Sequence, residues 1–247
     1  MRRRGKILII AFVVVLIIVI GFVVWTETPP YPMPEAFDAL HSDAKVTVIN
    51  SQWLVFEPTA ANYTTGFVLY PGGRVDYRSY APYAHQIAAE GFLTIIAPMP
   101  LNLAIFDENA ANSVISAYTN VTVWAVGGHS LGGTMAAQYV LDNPSKVKGL
   151  ILWAAYPESG TNLSKLSIHV VTIHGTNDGL VSTKQIDSSL KQLPSDTVRV
   201  EIAGGDHAQF GWYGPQSGDN PATISRQEQQ DQTVNATVNL LSSLNNG

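Results

Sequence analysis

The chain has 247 residues, a formal net charge of −5 and no cysteine. The absence of cysteine excludes disulfide bonds and a thiol nucleophile. Four of the 14 basic residues lie among the first six positions, so the chain beyond Trp25 holds 10 basic against 19 acidic residues. This balance argues against nucleic acid or an anionic lipid surface as a partner of that part of the chain.

The first predicted element is a transmembrane helix. Residues 1–6 form a basic N-terminus, and the 19 residues of Ile7–Trp25 carry no charge, close to the roughly 20 apolar residues that cross a bilayer as a helix. No small-residue cleavage site follows, which favours an uncleaved signal anchor over a cleaved secretion signal. Because basic flanks stay in the cytoplasm, we expect a single-pass membrane protein with its C-terminal domain on the extracytoplasmic side.

A Pro-rich segment, residues 26–44, comes next, with prolines at positions 29, 30, 32 and 34. Proline-rich linkers adopt extended and semi-rigid conformations. We therefore expect this segment to be a stalk that holds the domain of residues 45–247 off the membrane.

Residues 45–247 contain eight strand-like runs that alternate, after the third, with helix-like stretches. The strands are predicted at Val46–Ile49, Leu54–Glu57, Gly66–Tyr70, Phe92–Ala97, Val121–Val126, Gly149–Trp153, Ile168–Ile173 and Val198–Ile202. The helices are predicted near residues 79–90, 107–117, 132–142, 183–192 and 225–243. This alternation predicts an α/β fold with a mostly parallel sheet and helices on both faces.

The loop after the third predicted strand, Pro71–Asp76, is rich in glycine. Gly72 and Gly73 allow the backbone to approach a ligand closely. The N–H of Gly73 or of Arg74 is a candidate donor to a bound oxyanion, and the residues leave the choice open. The Arg74 side chain is either a solvated surface group or a contact for a substrate carboxylate.

The fifth predicted strand leads directly into a helix through Gly128-His129-Ser130-Leu131-Gly132. A serine at a sharp strand-to-helix turn is exposed as a nucleophile, and small neighbours let the strand and the helix approach each other. The Leu131 N–H, at the start of the helix, points at the oxygen that becomes negative during acyl transfer. Ser130 is therefore the predicted catalytic nucleophile.

The loops after the seventh and eighth predicted strands supply an acid and a histidine. Asp178 and His207 follow Ser130 in the order that hydrolases with such a turn use, and both loops fall at the carboxyl edge of the sheet. His207 is the predicted general base and Asp178 the acid that orients it, although Asp178 could also be a turn former. Asp206 is the alternative acid, but side chains adjacent in sequence rarely face each other.

The connection between the sixth and seventh predicted strands, Pro157–Ser167, is too short for a lid domain. We therefore expect an open cleft. Met99, Phe210 and Trp212 are candidate substrate-binding residues on its rim, and they either form an acyl pocket or simply pack over the edge of the sheet.

No metal or cofactor is expected. The six histidines lack the spacing of a metal site. Asp206 and Asp219 lack the accompanying carboxylates of a calcium site.

Four segments together resemble the α/β-hydrolase superfamily: Tyr70–Gly73, Gly128–Gly133, His174–Asp178 and Gly205–Phe210. They are similar to a small capless group related to the dienelactone-hydrolase type. The resemblance implies an eight-stranded, mostly parallel sheet and ester-type hydrolysis without a cofactor. It does not imply a substrate, because this fold hosts many chemistries.

These observations predict a membrane-anchored serine hydrolase. We expect a carboxylesterase that acts through Ser130, His207 and Asp178 on small or exposed esters. Its partners would be a small-molecule ester and, through the N-terminal helix, the membrane. An acyltransferase or a peptidase uses the same triad, and a catalytically silent domain that binds a partner would share the fold, so these are the alternatives.

Overall fold

The computed structural model describes residues 3–60 and 62–244. The strands are β1 (Val46–Asn50), β2 (Leu54–Pro58), β3 (Thr65–Tyr70), β4 (Leu93–Ile96), β5 (Val123–His129), β6 (Gly149–Trp153), β7 (His169–Gly175) and β8 (Val198–Ile202). The helices are α1 (Arg3–Glu27), α2 (Pro34–Asp38), α3 (Ala81–Ala89), α4 (Ala110–Ala117), α5 (Leu131–Asp142), α6 (Thr183–Ser189) and α7 (Arg226–Ser243). Short 3-10 helices lie at Tyr77–Tyr80, Pro100–Asn102, Ala104–Phe106, Leu190–Gln192 and Ala208–Phe210.

The eight strands form one sheet in the order β1-β2-β4-β3-β5-β6-β7-β8. β2 pairs antiparallel with β1 and with β4, and the other neighbouring strands are parallel. All eight predicted strands are present, so the predicted fold class is confirmed. β5 runs three residues further than its apolar run predicts, because Gly127, Gly128 and His129 continue the pairing with β6.

Helices cover both faces of the sheet, as predicted. Side chains alternate between the faces of a strand, and in β3 Phe67 and Leu69 join one core cluster while Val68 and Tyr70 join the other. Residues of α3 and α7 complete the first cluster, and residues of α4 and α5 complete the second. The sheet is therefore buried on both sides, which fixes the positions of the loops at its carboxyl edge.

The connection between β6 and β7, residues 154–168, contains no helix or strand. The expected absence of a cap domain is confirmed. The carboxyl edge of the sheet near β5 is therefore not covered by an inserted domain.

The N-terminal helix α1 is long and apolar enough to cross a membrane over Lys6–Glu27, a property that signal sequences share. Each residue from Lys6 to Trp25 is exposed, whereas Thr26 is completely buried. α1 thus projects from the domain and contacts it at its C-terminal end.

Residues 26–44 differ from the extended stalk that the prolines predict. Pro34 occupies the first position of α2, where its missing N–H removes no helical hydrogen bond. Ala36 is completely buried, and the Met33 N–H donates to Trp212 O at 2.8 Å. The segment therefore packs along the domain, because its apolar side chains find a place in the core.

Three parts of the predicted organisation lie outside the described residues. They are residues 1 and 2 of the basic N-terminus and, in the C-terminal domain, residue 61 and residues 245–247.

Candidate active site

Ser130 is the single residue between the end of β5 and the start of α5. Its backbone has φ 52° and ψ −123°, in a region that residues other than glycine rarely adopt. The Ser130 N–H donates to Trp153 O at 3.0 Å, which anchors the turn to the end of β6. Strain of this kind is stored at functional sites and places the side chain at the tip of the turn.

The turn is tight because two glycines remove side chains from its interior. A Cβ atom on Gly128 would lie 2.5 Å from Tyr70 O, and one on Gly132 would lie 2.2 Å from the same oxygen. Any side chain at either position would push β3, β5 and α5 apart. The sequence pattern around Ser130 is therefore a packing requirement of the turn.

Asp178 and His207 are joined directly. His207 Nδ1 donates to Asp178 Oδ2 at 2.8 Å, and both side chains are almost completely buried. The second oxygen, Asp178 Oδ1, accepts the N–H groups of Leu180 and Val181 at 2.8 and 2.7 Å. Of the two acids weighed from the sequence, Asp178 is the one bonded to the ring, while Asp206 accepts the Gln209 N–H at 2.7 Å.

The other ring nitrogen, His207 Nε2, is buried and has no hydrogen-bond partner among the described residues, Ser130 included. The His207 ring lies against the turn, since its centroid is 4.5 Å from that of His129, the residue before Ser130. Catalytic hydrogen bonds in enzymes without substrate are often long and tighten when the substrate binds. Nε2 is therefore the nitrogen available for proton transfer.

A buried hydrogen-bonded chain ties the glycine loop after β3 to the turn. The Gly72 N–H donates to Tyr80 Oη at 2.9 Å, and Tyr80 Oη lies 2.8 Å from His129 Nδ1. Burial holds the pKa of His129 well below its usual range, with the nearby His207 adding to the effect. A lowered pKa favours the neutral ring, which shares one hydrogen bond with the Tyr80 hydroxyl. Tyr80 was not predicted, because nothing in its local sequence marks it.

Gly73 and Leu131, two of the candidate oxyanion donors, are neighbours in the structure. A Cβ atom on Gly73 would be 3.2 Å from the Leu131 side chain. Neither the Gly73 N–H nor the Leu131 N–H has an acceptor within the described residues. The Arg74 N–H, the alternative to Gly73, donates to Asn102 O at 2.8 Å and is therefore engaged.

The Arg74 side chain is partly exposed and bonds the end of α1. It donates to Trp25 O and Thr28 O at 2.8 and 3.2 Å, and its guanidinium carbon lies 4.0 Å from the centroid of the Trp25 ring. This contact to the end of α1 could not be read from the sequence, because it joins residues nearly fifty positions apart.

Asp219 bridges the two loops that carry the acid and the histidine. Its Oδ1 accepts the Gly179 N–H at 2.9 Å, and its Oδ2 accepts the Ala208 N–H at 2.8 Å. Gly179 follows Asp178 and Ala208 follows His207, so one carboxylate fixes the loops that carry the predicted acid and the predicted base. The carboxylate weighed above as a calcium ligand thus has a different set of partners.

The histidine loop is also held by α7. The completely buried Gln229 side chain accepts the Asp206 N–H at 3.0 Å and donates to Asp206 O at 2.8 Å. Arg226 donates to Ala208 O at 2.7 Å. The backbone on both sides of His207 is therefore fixed, which limits the directions in which its ring can point.

The three candidate pocket residues are all in the core. Phe210 is completely buried and stacks on His129 with ring centroids 5.7 Å apart. Trp212 donates to Gln230 from α7, and Met99 belongs to the core cluster on the other face of the sheet. Of the two alternatives weighed from the sequence, the structure favours packing over an acyl pocket.

Within residues 3–60 and 62–244, no group of three or more His, Asp or Glu side chains is placed to hold a metal ion.

Comparisons with known proteins address the fold and the family. The model of the alpha/beta hydrolase family matches residues 66–231, from β3 into α7. The structure is similar to the esterase domain of a Rhodothermus marinus protein, with a TM-score of 0.55 and 11% sequence identity over 75% of this chain and 90% of that one. No curated protein matches the chain in sequence. The family match spans more than half of the chain, and the chain belongs to the alpha/beta hydrolase family.

Proposed function

We propose that this chain is a serine hydrolase that cleaves carboxylic esters. The observation that carries the proposal is the buried Asp178–His207 pair, whose free Nε2 lies in a ring packed against the turn that presents Ser130. Membership of the alpha/beta hydrolase family supports hydrolysis. The structural similarity to an esterase domain supports the fold and is consistent with an ester substrate.

The proposed reaction begins with attack of Ser130 Oγ on the ester carbonyl carbon. His207 Nε2 takes the serine proton as the new C–O bond forms, and the Asp178 carboxylate stabilises the resulting imidazolium. The N–H groups of Leu131 and Gly73 donate to the negative oxygen of the tetrahedral intermediate.

The intermediate then collapses. Its bond to the alcohol breaks, His207 gives the proton to the leaving oxygen, and an acyl group remains on Ser130. Water attacks this acyl-enzyme by the reverse sequence and releases the acid. No external oxidant, metal or cofactor enters either half of the reaction.

The absence of a cap suits small or exposed esters. Ser130 is partly exposed, and no domain is inserted between β6 and β7. The alkoxide of an ester is a better leaving group than the amine of an amide and needs less assistance from a general acid. This difference favours esters over peptides as the substrate class.

We also propose that α1 anchors the enzyme in a membrane with the catalytic domain outside. Support comes from the length and exposure of the apolar helix and from the basic residues before it. External protease added to sealed cells should digest the domain. Survival of the domain in sealed but not in lysed cells would contradict this orientation.

Labelling of the full chain by a fluorophosphonate probe tests the catalytic proposal. Wild type should label, Ser130→Ala should not, and Ser159→Ala, a change at an exposed serine, should label like wild type. A wild-type chain that stays unlabelled would favour the silent-domain alternative.

A panel of p-nitrophenyl esters, with and without an added acceptor alcohol, then distinguishes hydrolysis from acyl transfer. Release of free acid in the presence of the acceptor is the expected result. Quantitative transfer to the acceptor would overturn hydrolysis as the main activity.

A further inference from the structure

The C-terminal end of α1 is bound to two residues at the rim of the active site. Trp25 O accepts from Arg74 Nε at 2.8 Å, and Thr26 O accepts from Asn102 Nδ2 at 3.0 Å. The last carbonyl groups of a helix lack partners within the helix and carry partial negative charge, so a guanidinium and an amide are well suited to cap them. The end of α1 is therefore fixed to the domain at a defined place.

That place is next to the proposed oxyanion hole. Arg74 follows Gly73 directly, and its N–H donates to Asn102 O at 2.8 Å. Arg74 and Asn102 both have left-handed backbone conformations, with φ 57° and 53°, and such strain persists where the surroundings enforce it. Gly73 in turn lies against Leu131, the residue after Ser130. A short series of contacts thus connects the helix end to the nucleophile.

The apolar part of α1 extends away from this rim. Lys6–Trp25 is exposed throughout, and within the described residues the helix contacts the domain near the 3-10 helix Pro100–Asn102. A tryptophan at the end of a membrane-spanning helix lies at the level of the lipid headgroups. When α1 spans a bilayer, Trp25 therefore brings the rim with Arg74 and Asn102 to the membrane surface.

A second observation is an exposed apolar pair on the same rim. Ile105 and Phe106, in the 3-10 helix that begins two residues after Asn102, are 57% and 52% exposed. Transfer of either side chain out of water would be favourable, because burial of apolar surface lowers the free energy in proportion to the buried area. The exposed Asp107 follows directly after this pair. The pair's 3-10 helix packs against the 3-10 helix that contacts α1, and the pair has the chemistry of a shallow membrane contact.

We infer that the rim rests on the outer surface of the bilayer and that the substrate is an amphiphilic ester whose acyl chain lies in that leaflet. This inference rests on the proposed function and names its substrate class. The ester carbonyl of such a molecule is exposed at the headgroup level, where an uncapped site can reach it. Attack by Ser130 forms the acyl-enzyme, the alcohol leaves with the serine proton, and water releases the fatty acid.

The first test measures membrane contact by a readout that does not depend on catalytic activity. The chain has no cysteine, so Phe106→Cys and Ile49→Cys each provide one labelling site for a polarity-sensitive fluorophore. Ile49 is 42% exposed on β1 and serves as the matched control. In phosphatidylcholine vesicles the label at position 106 should shift to the blue and be quenched by a lipid-soluble nitroxide, and the label at 49 should do neither. A label at 106 that behaves like the one at 49 overturns the inference.

The second test compares two substrates with the full chain in the same vesicles. The double variant Ile105→Ser/Phe106→Ser should hydrolyse bilayer-resident p-nitrophenyl palmitate at least tenfold more slowly than wild type and hydrolyse soluble p-nitrophenyl acetate within twofold of wild type. The control variant Ile49→Ser/Val198→Ser, which changes exposed apolar residues elsewhere, should match wild type on both.

The outcomes separate this inference from the function on which it rests. Equal losses on both esters, or no loss on either, overturn the membrane-surface inference. Wild type that hydrolyses the acetate and not the palmitate also overturns it while leaving the ester hydrolase intact. Wild type that hydrolyses neither ester and fails to react with the fluorophosphonate overturns the proposed function itself.

Discussion

His207 Nδ1 donates a hydrogen bond to Asp178 Oδ2 at 2.8 Å, and both side chains are buried. Asp178→Asn preserves the shape of the side chain but replaces the accepting carboxylate, so the imidazole loses its favoured tautomer and the stabilisation of its charged form. We expect kcat for p-nitrophenyl acetate to fall by about 10³ to 10⁴-fold, with little change in Tm.

Asp206→Asn is the matched control for that variant, since this second buried acid precedes His207 and bonds a backbone N–H instead. Burial raises the pKa of Asp206, so an uncharged amide is tolerated there. A loss smaller than about tenfold is expected. A larger loss in Asp206→Asn than in Asp178→Asn would reverse the two assignments.

Tyr80→Phe should affect both stability and catalysis. It leaves the Gly72 N–H and His129 Nδ1 buried without their partner, which costs about 1–3 kcal/mol of unfolding free energy. Because the same bonds hold the loop before Gly73, kcat should fall while KM changes little. Tyr139→Phe, which removes a hydroxyl bonded to Asn112 at 3.0 Å, should lower Tm without lowering kcat. Equal kcat values for the two variants would argue against a role for Tyr80 in positioning the loop.

Asp219→Ala tests the bridge between the two catalytic loops. The change removes the acceptor for the N–H groups of Gly179 and Ala208 and should cost about 1–2 kcal/mol. That loss lowers Tm by roughly 2–8 °C in a chain of this size. Because the loops lose their common support, kcat should fall by about tenfold or more, measured on p-nitrophenyl acetate. Asp142→Ala, on the exposed end of α5, should leave both quantities near wild type.

His129 should make the protein less stable in mild acid. Burial lowers the pKa of this side chain in the folded state from an ordinary value of 6.5. Below about pH 6.5 the unfolded chain binds a proton that the folded chain does not, so the stability present above this pH is lost as the pH falls. The contribution of this one group is about 1.4 kcal/mol per pH unit.

Denaturant unfolding of the protein in detergent between pH 7.5 and 5 measures that slope. His129→Gln removes the titrating group and should flatten the acid limb relative to wild type, whatever its effect at pH 7.5. His169→Gln, at an exposed position, should keep the wild-type slope. An unchanged slope in His129→Gln would mean that other groups cause the acid sensitivity.

The fold could be predicted because its signals are local. Buried parallel strands appear as short apolar runs, and the helices between them appear as longer stretches, so all eight strands were found. The tight turn at Ser130 was also readable, since only glycine fits at positions 128 and 132. The acid and the histidine follow strands that end at the same edge of the sheet, which brought Asp178 and His207 within reach of each other.

The supporting residues could not be predicted because their signals are not local. Tyr80, Asp219 and Gln229 are single polar side chains whose partners lie far away in sequence or in other loops. The course of residues 26–44 was mispredicted for a related reason. Proline content describes a free linker, but Ala36 has a place in the core and tertiary packing determines the path. The contact of Arg74 with Trp25 could not be predicted either, because the two residues are far apart in the sequence.

The connection between β6 and β7 contains no helix or strand. This affects the second half of the proposed reaction, in which the acyl-enzyme reacts with an acceptor. Enzymes that pass an acyl group to an alcohol or an amine must shelter the covalent intermediate from solvent long enough for the acceptor to arrive. No domain inserted between β6 and β7 covers Ser130, so we expect water to reach the acyl-enzyme of the proposed reaction. For the proposed reaction we therefore expect the acyl-enzyme to release the free acid more often than it transfers the acyl group.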